Sequence, residues 1–505
     1  MKINIKILSV SLLCFALIAC DDFLDEKPYS ELTEENLGLV LEEGDSIKYK
    51  TAVQAESALG GVYSHFKNEF WSLDHYIINE NQTDNAYSGE PNENRFQIDE
   101  YRIKINNENV TRSWGALYKQ IGDANSIITW VPMIPDSEFT GNRKKEIVAE
   151  AMFVRALCHF YLIRIYGNVP LVVKDIPEIN MGNIDEIYPL LFPEQATPEQ
   201  VYAQIVADLE YATENASGYS AYKFKATKAV ANLLLAEVYA TKDGHLATDW
   251  NKVKQYASAV VNDSQYGLLN NFDDLFTAEG EGNGGLSSNN LTNENSRESL
   301  FEVDYTSWDA GGNWAAQMFI GLGWKKFNTP SKDLVKAFDK EGDAIRKDVS
   351  IMFADVTGAW SDKFWASTTY PFCYKLRSEE KGNIILYRFS EAILLLADAE
   401  NELGNLSTAK SLVDRVRNRV SLPGTTAGSK EAMRLAIENE HRLEFAFEGK
   451  RWFDLKRRGR FVQVMKSSTD HQRSYAAALA DYMQIWPIPH DEMQANESLI
   501  QNPGY

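Results

Sequence analysis

Apolar positions along this chain recur mostly at intervals of three and four residues, the spacing of one face of an α-helix. Trp114, Leu117, Tyr118, Ile121, Ala124 and Ile128 make one stripe. Ala151, Val154, Ala156, Phe160, Tyr161 and Ile165 make another, stopped by Gly167. Val201, Ile205, Leu209 and Ala212 make a third, opened by Thr197-Pro198-Glu199-Gln200. That opening places a threonine at the N-cap, a proline at the first helical position and a glutamine where it closes a capping box. Two segments predict helix pairs of the tetratricopeptide kind, in which small residues let two helices approach closely. Residues 394–416 carry Ala397, Ala409, Val413 and Val416 around a Gly404-Asn405 turn. Residues 235–260 repeat the pattern with Ala236, Tyr239, Val253, Ala257 and Val260, lengthened at Asp243-Gly244-His245.

The material between these blocks differs. Residues 79–94 are polar, contain Gly89 and Pro91, and predict a surface loop. Residues 278–295, rich in Gly, Asn and Ser, predict a second one. Residues 299–305 alternate and predict a short strand. Residues 308–365 have weak periodicity and many glycines, so they read as loop-rich, yet they hold five of the 11 tryptophans, about four times the even share. The fold class expected is mostly α, with tetratricopeptide-like helix pairs, large irregular loop-rich insertions and a few short strands.

The first twenty residues change the picture. Lys2 and Lys6 precede a 13-residue apolar run, Ile7 to Ala19. A membrane-spanning helix needs roughly 20 residues, so the run reads as a secretory signal. It ends Leu17-Ile18-Ala19-Cys20 before Asp21-Asp22, similar to a bacterial lipobox whose cysteine is lipidated; an ordinary signal with a chance cysteine is the alternative. Acyl chains on Cys20 would tether a water-soluble body to a membrane. Of four cysteines, Cys14 leaves with the signal and Cys20 is acylated, so only Cys158 and Cys373 remain and no disulfide framework exists. Cys158 reads as a small core residue, with a bridge to Cys373 left open.

The chain has 505 residues, of which 44% are hydrophobic and 24% charged, enough for a large core. Its net charge of −21 argues against nucleic acid as a partner, because phosphate binding needs a basic surface. Loss of Lys2 and Lys6 with the signal takes that charge to −23.

Several motifs occur in order along the chain. Asp22-Phe23-Leu24-Asp25 and Pro28 follow Cys20; Glu150, Arg155-Ala156 and Phe160-Tyr161 precede Tyr166-Gly167-Asn168-Val169-Pro170. Tyr387-Arg388-Phe389-Ser390-Glu391-Ala392 runs into Ala397-Asp398-Ala399-Glu400-Asn401. Glu440-His441-Arg442-Leu443-Glu444-Phe445-Ala446-Phe447-Glu448-Gly449-Lys450-Arg451-Trp452-Phe453-Asp454 follows, and the chain closes on Trp486-Pro487-Ile488-Pro489 and Asn502-Pro503-Gly504-Tyr505. In this order, from lipobox to last residue, the chain resembles the SusD/RagB family of nutrient-binding outer-membrane lipoproteins. The resemblance implies four tetratricopeptide-like helix pairs, a lipid anchor at the outer membrane facing the cell exterior, and a SusC-like TonB-dependent transporter as partner. It implies capture of glycans, or in some branches peptides, with no catalysis and no cofactor. The expected organisation is a signal over 1–20, an N-terminal region over 21–240, and a C-terminal region over 241–505 with a loop-rich segment at 270–386, packed as one unit.

On a helix, Arg442, Phe445 and Gly449 would follow at i, i+3 and i+7, with Glu444 and Glu448 as i, i+4 neighbours. Arg442, Glu444, Glu448, Arg451 and Trp452 therefore read as structural residues that pair charges at a helix junction. The basic run Lys456-Arg457-Arg458-Gly459-Arg460 reads as a solvated helix end. No pair among the seven histidines has metal-ligand spacing, and no G-x-S-x-G elbow occurs, so no metal site is expected. A glycosidase carboxylate pair is not selected by anything in the chain, and a secreted glycan hydrolase on a helical scaffold stays as the less favoured class. Sugar rings stack C–H faces on aromatics and need directional partners for their hydroxyls. That points to Trp308, Trp314 and Trp324, and to Trp71, His75, Asp84, Asn85 and Tyr87 in and before the polar stretch, as candidate ligand residues.

Overall fold

The computed structural model describes residues 48–176, 183–245, 247–280, 285–468 and 473–505, so the signal segment and Cys20 lie outside the described residues. Among the described residues, nine helices form the scaffold: α1 (Ala52–Ser64), α2 (Glu108–Trp130), α3 (Arg143–Tyr166), α4 (Pro198–Asn215), α5 (Lys228–Tyr239), α6 (Trp250–Val261), α7 (Phe389–Glu402), α8 (Leu406–Arg419) and α9 (Lys430–Glu444). From α2 to α8 each helix packs on the next; α1 lies against α2 and α3, and α9 against α7 and α8. Capping sets the ends. Thr51 with Gln54, and Thr197 with Gln200, close capping boxes at the starts of α1 and α4. Gly167 ends α3 with φ 73°, a conformation that favours glycine.

The two anticipated helix pairs are α5–α6 and α7–α8. Ala236, Ala257, Ala397 and Ala409 are all fully buried, because each sits where neighbouring helices leave no room for a longer side chain. Leu403, Gly404 and Asn405 alone join α7 to α8, which makes the pair a tight hairpin. Residues 262–388 leave the stack between α6 and α7, yet those two helices pack directly on one another. One continuous cluster of buried apolar residues runs from Ala55 to Leu499 and includes both halves of the chain.

Among the described residues, three two-stranded antiparallel ladders organise the irregular segments. Strand β1 (Ala86–Tyr87) pairs with β3 (Thr329–Pro330), β2 (Ser299–Val303) with β6 (Ile384–Arg388), and β4 (Ile351–Ala354) with β5 (Tyr370–Cys373). The predicted strand at 299–305 is β2.

Four expectations change. Residues 79–94 are not a surface loop: Ile77–Asn81 is π-helical, Ala86–Tyr87 is β1, and every residue from Phe70 to Gly89 is buried. The polar side chains there find partners inside the protein, as buried polar groups must. The loop-rich stretch 308–365 contains two helices, Lys332–Glu341 and Ala344–Ser350; the first is capped by Ser331 and closed by Gly342 at φ 69°. The C-terminal motif is not one helix, since α9 stops at Glu444 and Phe447 and Gly449 take φ 62° and 70°. The basic run is not a solvated end: Arg457 and Arg458 are buried against Asp398 and Asp454. Cys158 and Cys373 are free and buried.

The close packing at Ala409 is open to test. Ala409→Leu forces extra volume between α8 and its neighbours and should lower stability by about 1–3 kcal/mol in urea denaturation. Thr408→Leu, at an exposed position one residue earlier, should stay within about 0.5 kcal/mol of the parent.

Candidate functional site

The C-terminal motif closes over a buried charge network. Arg388, the last residue of β6, meets Glu298 at 3.0 Å, Glu444 at 2.5 Å and Glu448 at 2.7 Å. Arg346 meets Asp343, Glu440 and Glu444; Arg419 meets Glu298 and Glu444; Arg417 meets Glu440; Lys375 meets Glu448 at 2.6 Å. Five buried carboxylates thus face five cations in one connected cluster, with the half-exposed Glu341 joining it through Arg417. Burial pushes the Glu444 carboxyl up, but Arg419, Arg388 and Arg346 more than reverse this and hold it well below its ordinary value.

A second cluster joins the motif to the polar stretch. Arg451 clamps Asp84 with two 2.8 Å hydrogen bonds, and Arg442 reaches the Asp84 carboxylate at 3.2 Å and Asn85 Oδ1 at 3.0 Å. Burial raises Asp84; Arg442 and Arg451 reverse that and hold it at about 2. Glu80 accepts from Asn85 Nδ2 and from the Gly449 N–H. At Gly449 a β-carbon would overlap the His75 ring, so the close approach demands glycine. His75 Nε2 meets the Glu448 carbonyl at 3.4 Å, and a carbonyl only accepts, so Nε2 carries the proton and Nδ1 accepts from the Tyr161 hydroxyl at 3.2 Å. Burial, with Lys450 nearby, holds His75 at about 3. Trp452 is fully buried beside Phe453 and Trp486.

These contacts decide the fate of the candidate ligand residues. Trp71 is fully buried and donates to Gln120 Oε1. His75, Asp84 and Asn85 belong to the buried clusters just described. Tyr87 is buried and donates to Asp362 Oδ1 at 2.8 Å. All five are buried, their polar groups satisfied internally rather than by water, and of them Asp84 lines a cavity together with Arg442 and Arg451. Trp314 is half-buried against the main core.

Trp308 and Trp324 stand differently, 45% and 36% exposed. Trp308 starts a single 3-10 turn, and Gly312 lies so close that a β-carbon there would sit 3.0 Å from the indole. Asn313 and Glu380 exchange backbone hydrogen bonds behind it. Glu379 accepts from the Gln317 amide, and Lys326 Nζ donates to the Gln317 carbonyl at 2.9 Å. The same ammonium lies 3.9 Å over the Trp324 ring, which also meets Phe327 edge-on. Burial brings Lys326 down to about 8. Gln317 therefore links Glu379 to the Lys326 ammonium that lies over the Trp324 ring. Gln317, Lys326 and Glu379 carried no signal in the sequence. Arg388 did: a charge closing the apolar strand Ile384–Arg388 has to find buried partners. Among the described residues, no three His, Cys, Asp or Glu side chains gather as metal ligands, and no helix is long and apolar enough to cross a membrane.

Two measurements test the network. Arg388→Ala leaves Glu298, Glu444 and Glu448 under-compensated and should cost about 3–5 kcal/mol in chemical denaturation. Stability should also fall in two stages as pH drops. His75 and His159 are held at about 3 and His441 at about 4, below the ordinary 6.5. The unfolded chain therefore binds protons below about 6.5 that the folded chain refuses, which lowers stability from there downward. Asp84 and Glu444 are depressed when folded, so their contribution is present above the ordinary carboxylate range and is lost as pH falls through their folded values. Denaturation midpoints followed from pH 8 to below about pH 2 should show both stages.

Known proteins resemble this chain in sequence and fold. A family model described as the SusD family matches residues 234–505, and one described as starch-binding, associating with the outer membrane, matches residues 22–240. The SusD-like protein P2 of Formosa agariphila is 27% identical, with 98% of each chain covered. The starch-binding protein SusD of Bacteroides thetaiotaomicron is 24% identical over 71% of this chain and 72% of its own. Surface glycan-binding protein A of Bacteroides thetaiotaomicron, solved in complex with laminarihexaose, superposes with a TM-score of 0.72 at 19% identity, covering 90% of this chain and all of its own; at that identity the likeness shows the fold. The sequence matches, the helical stack and the buried C-terminal motif together establish that this chain belongs to the SusD family.

Proposed function

We propose that this protein captures a neutral glycan at the exterior of the outer membrane and delivers it to a SusC-like TonB-dependent transporter, without acting on it as an enzyme. The observation that carries the reading is the pair of exposed indoles, Trp308 and Trp324, braced from behind by Gly312 and Lys326. An exposed tryptophan offers a sugar ring a flat apolar face, and polar groups such as Gln317 and Glu379 in the same insertion offer hydroxyl partners. Rigid backing matters, because a platform already held in place loses little conformational entropy on binding. The chain's net charge of −21 suits an uncharged ligand better than a sulfated one. The starch-binding and laminarihexaose-bound relatives support a glycan over a peptide. Lipidation of Cys20 supplies the tether, and residues 21–240 and 241–505 act as one body on it.

Isothermal titration against a panel of neutral oligo- and polysaccharides is the test. Binding to at least one is expected, weakened at least about fivefold by Trp308→Ala or Trp324→Ala with unchanged circular dichroism. Affinity for peptides alone, or for nothing in the panel, would sink the glycan reading. Cys20→Ala expressed in a bacterium that processes lipoproteins should abolish incorporation of labelled palmitate and leave the protein unanchored.

A further inference from the structure

Lys326 holds a buried ammonium without a carboxylate to balance it. The residue is 2% exposed, and among the described residues no carboxylate forms an ion pair with it. Its Nζ donates to the Gln317 carbonyl at 2.9 Å and lies 3.9 Å from the centroid of the Trp324 ring. The other cations of this corner are paired, Arg95 with Glu90 and Lys325 with Asp362 at 3.1 Å. An interior charge with no counter-charge is costly to keep. Burial lowers the Lys326 pKa to about 8, so the group still carries its charge at neutral pH.

The backbone fixes this ammonium in place. The Phe327 N–H donates to the Met318 carbonyl at 2.8 Å, and the Glu90 N–H donates to the Lys326 carbonyl at 2.9 Å. Gly321, at φ 105°, turns the chain so tightly that a β-carbon there would lie 3.8 Å from Nζ. Because Lys326 is buried and Trp324 is 36% exposed, the ammonium backs the ring from the protein side.

An indole face is ordinarily the best cation site that a side chain offers, since its quadrupole is negative there. On a chain of net charge −21 such a face would collect cationic solutes. Lys326 already uses that quadrupole from within. A second cation on the outer face would stand about 7–8 Å from Nζ across the ring, where it meets repulsion through a poorly screening medium. A neutral sugar ring is spared, because its stacking rests on dispersion and apolar burial. Trp308 has no such backing: among the described residues no ammonium or guanidinium lies over its ring, and Asp309 follows it.

We propose that Lys326 makes Trp324 a charge-selective platform, which admits neutral sugar rings and turns away rings bearing a free ammonium group, along with the side chains of basic peptides. The inference rests on the glycan reading for its ligand and deepens it. Lys326 acts through the indole and does not itself touch the sugar.

Quenching of tryptophan fluorescence by iodide and by caesium, at constant ionic strength, reads the charge at each indole without any ligand. The Trp324 contribution is the difference between the parent and Trp324→Phe, and the Trp308 contribution that between the parent and Trp308→Phe. The iodide-to-caesium ratio should be at least about twofold higher for Trp324 than for Trp308. Lys326→Met should bring the Trp324 ratio down to the Trp308 value, whereas Lys326→Arg should keep it. Replacing an unbalanced buried charge by an apolar side chain of similar length should hold or raise the thermal midpoint, so the comparison is made on folded protein. Calorimetric titration supplies the ligand arm. For the neutral hexasaccharide that binds, the 2-amino-2-deoxy analogue should bind at least about fivefold more weakly, and Lys326→Met should close that gap. Equal ratios at the two indoles, or a ratio or gap that Lys326→Met leaves unchanged, would overturn the inference and leave the glycan reading standing. Binding of no neutral oligosaccharide by the parent would overturn the glycan reading and the ligand selection with it, whatever the quenching ratio.

Discussion

Arg388 joins segments of this architecture that lie far apart in the chain. Its guanidinium sits at the end of β6, one residue before α7, and grips Glu298 ahead of β2, Glu444 at the end of α9 and Glu448 in the turn that follows. One cation thereby ties the 262–388 insertion to the last helices of the stack. Taking such charges out of water is costly, and the cost is offset only when every partner is present with good geometry. Arg346, Arg417, Arg419 and Lys375 complete that balance against Asp343 and Glu440. The cluster therefore assembles as a whole, and it dictates where α9 must stop. Phe447 and Gly449 adopt left-handed backbone so that Glu448 can turn back onto Arg388 while the Gly449 N–H reaches Glu80.

The consequence for function is rigidity at a distance. The insertion contributes the exposed indoles, and its strands are anchored to the scaffold through charges rather than through a long helix interface. Lys375 leads from β5 into this cluster, and β6 ends in it. Trp308 and Trp324 stand on short turns, which would wander without such anchors. Asp84 does similar work at the other side. Clamped by Arg451 and Arg442, it holds the polar stretch in which β1 pairs with β3, a few residues beyond Trp324.

The scaffold was legible because its signals are local. Capping at Thr197, the Gly167 stop and the small residues at Ala236, Ala397 and Ala409 each depend on a turn or two of helix, and each sits where its spacing requires. The candidate ligand residues were placed on the surface only in part. Tryptophan density pointed to 308–365, and two of the three tryptophans named there present faces to solvent. Trp71, His75, Asp84, Asn85 and Tyr87 misled for one reason. Polar composition reads as a loop in water, whereas here the partners are buried protein groups, some of them hundreds of residues away, as Asp84 and Arg451 show.

The sequence by itself determined the helix pairs, the membership of the family, and the pairing role of Arg442, Glu444, Glu448 and Arg451, since periodicity, caps and an ordered series of motifs are written in neighbouring residues. Tertiary structure alone decided which charges meet which, that the basic run at 456–460 turns inward to Asp398 and Asp454, and which aromatics remain exposed. Pairing and exposure depend on distances between segments far apart in the chain, and those distances exist only once the helices have stacked and the buried ions have found one another.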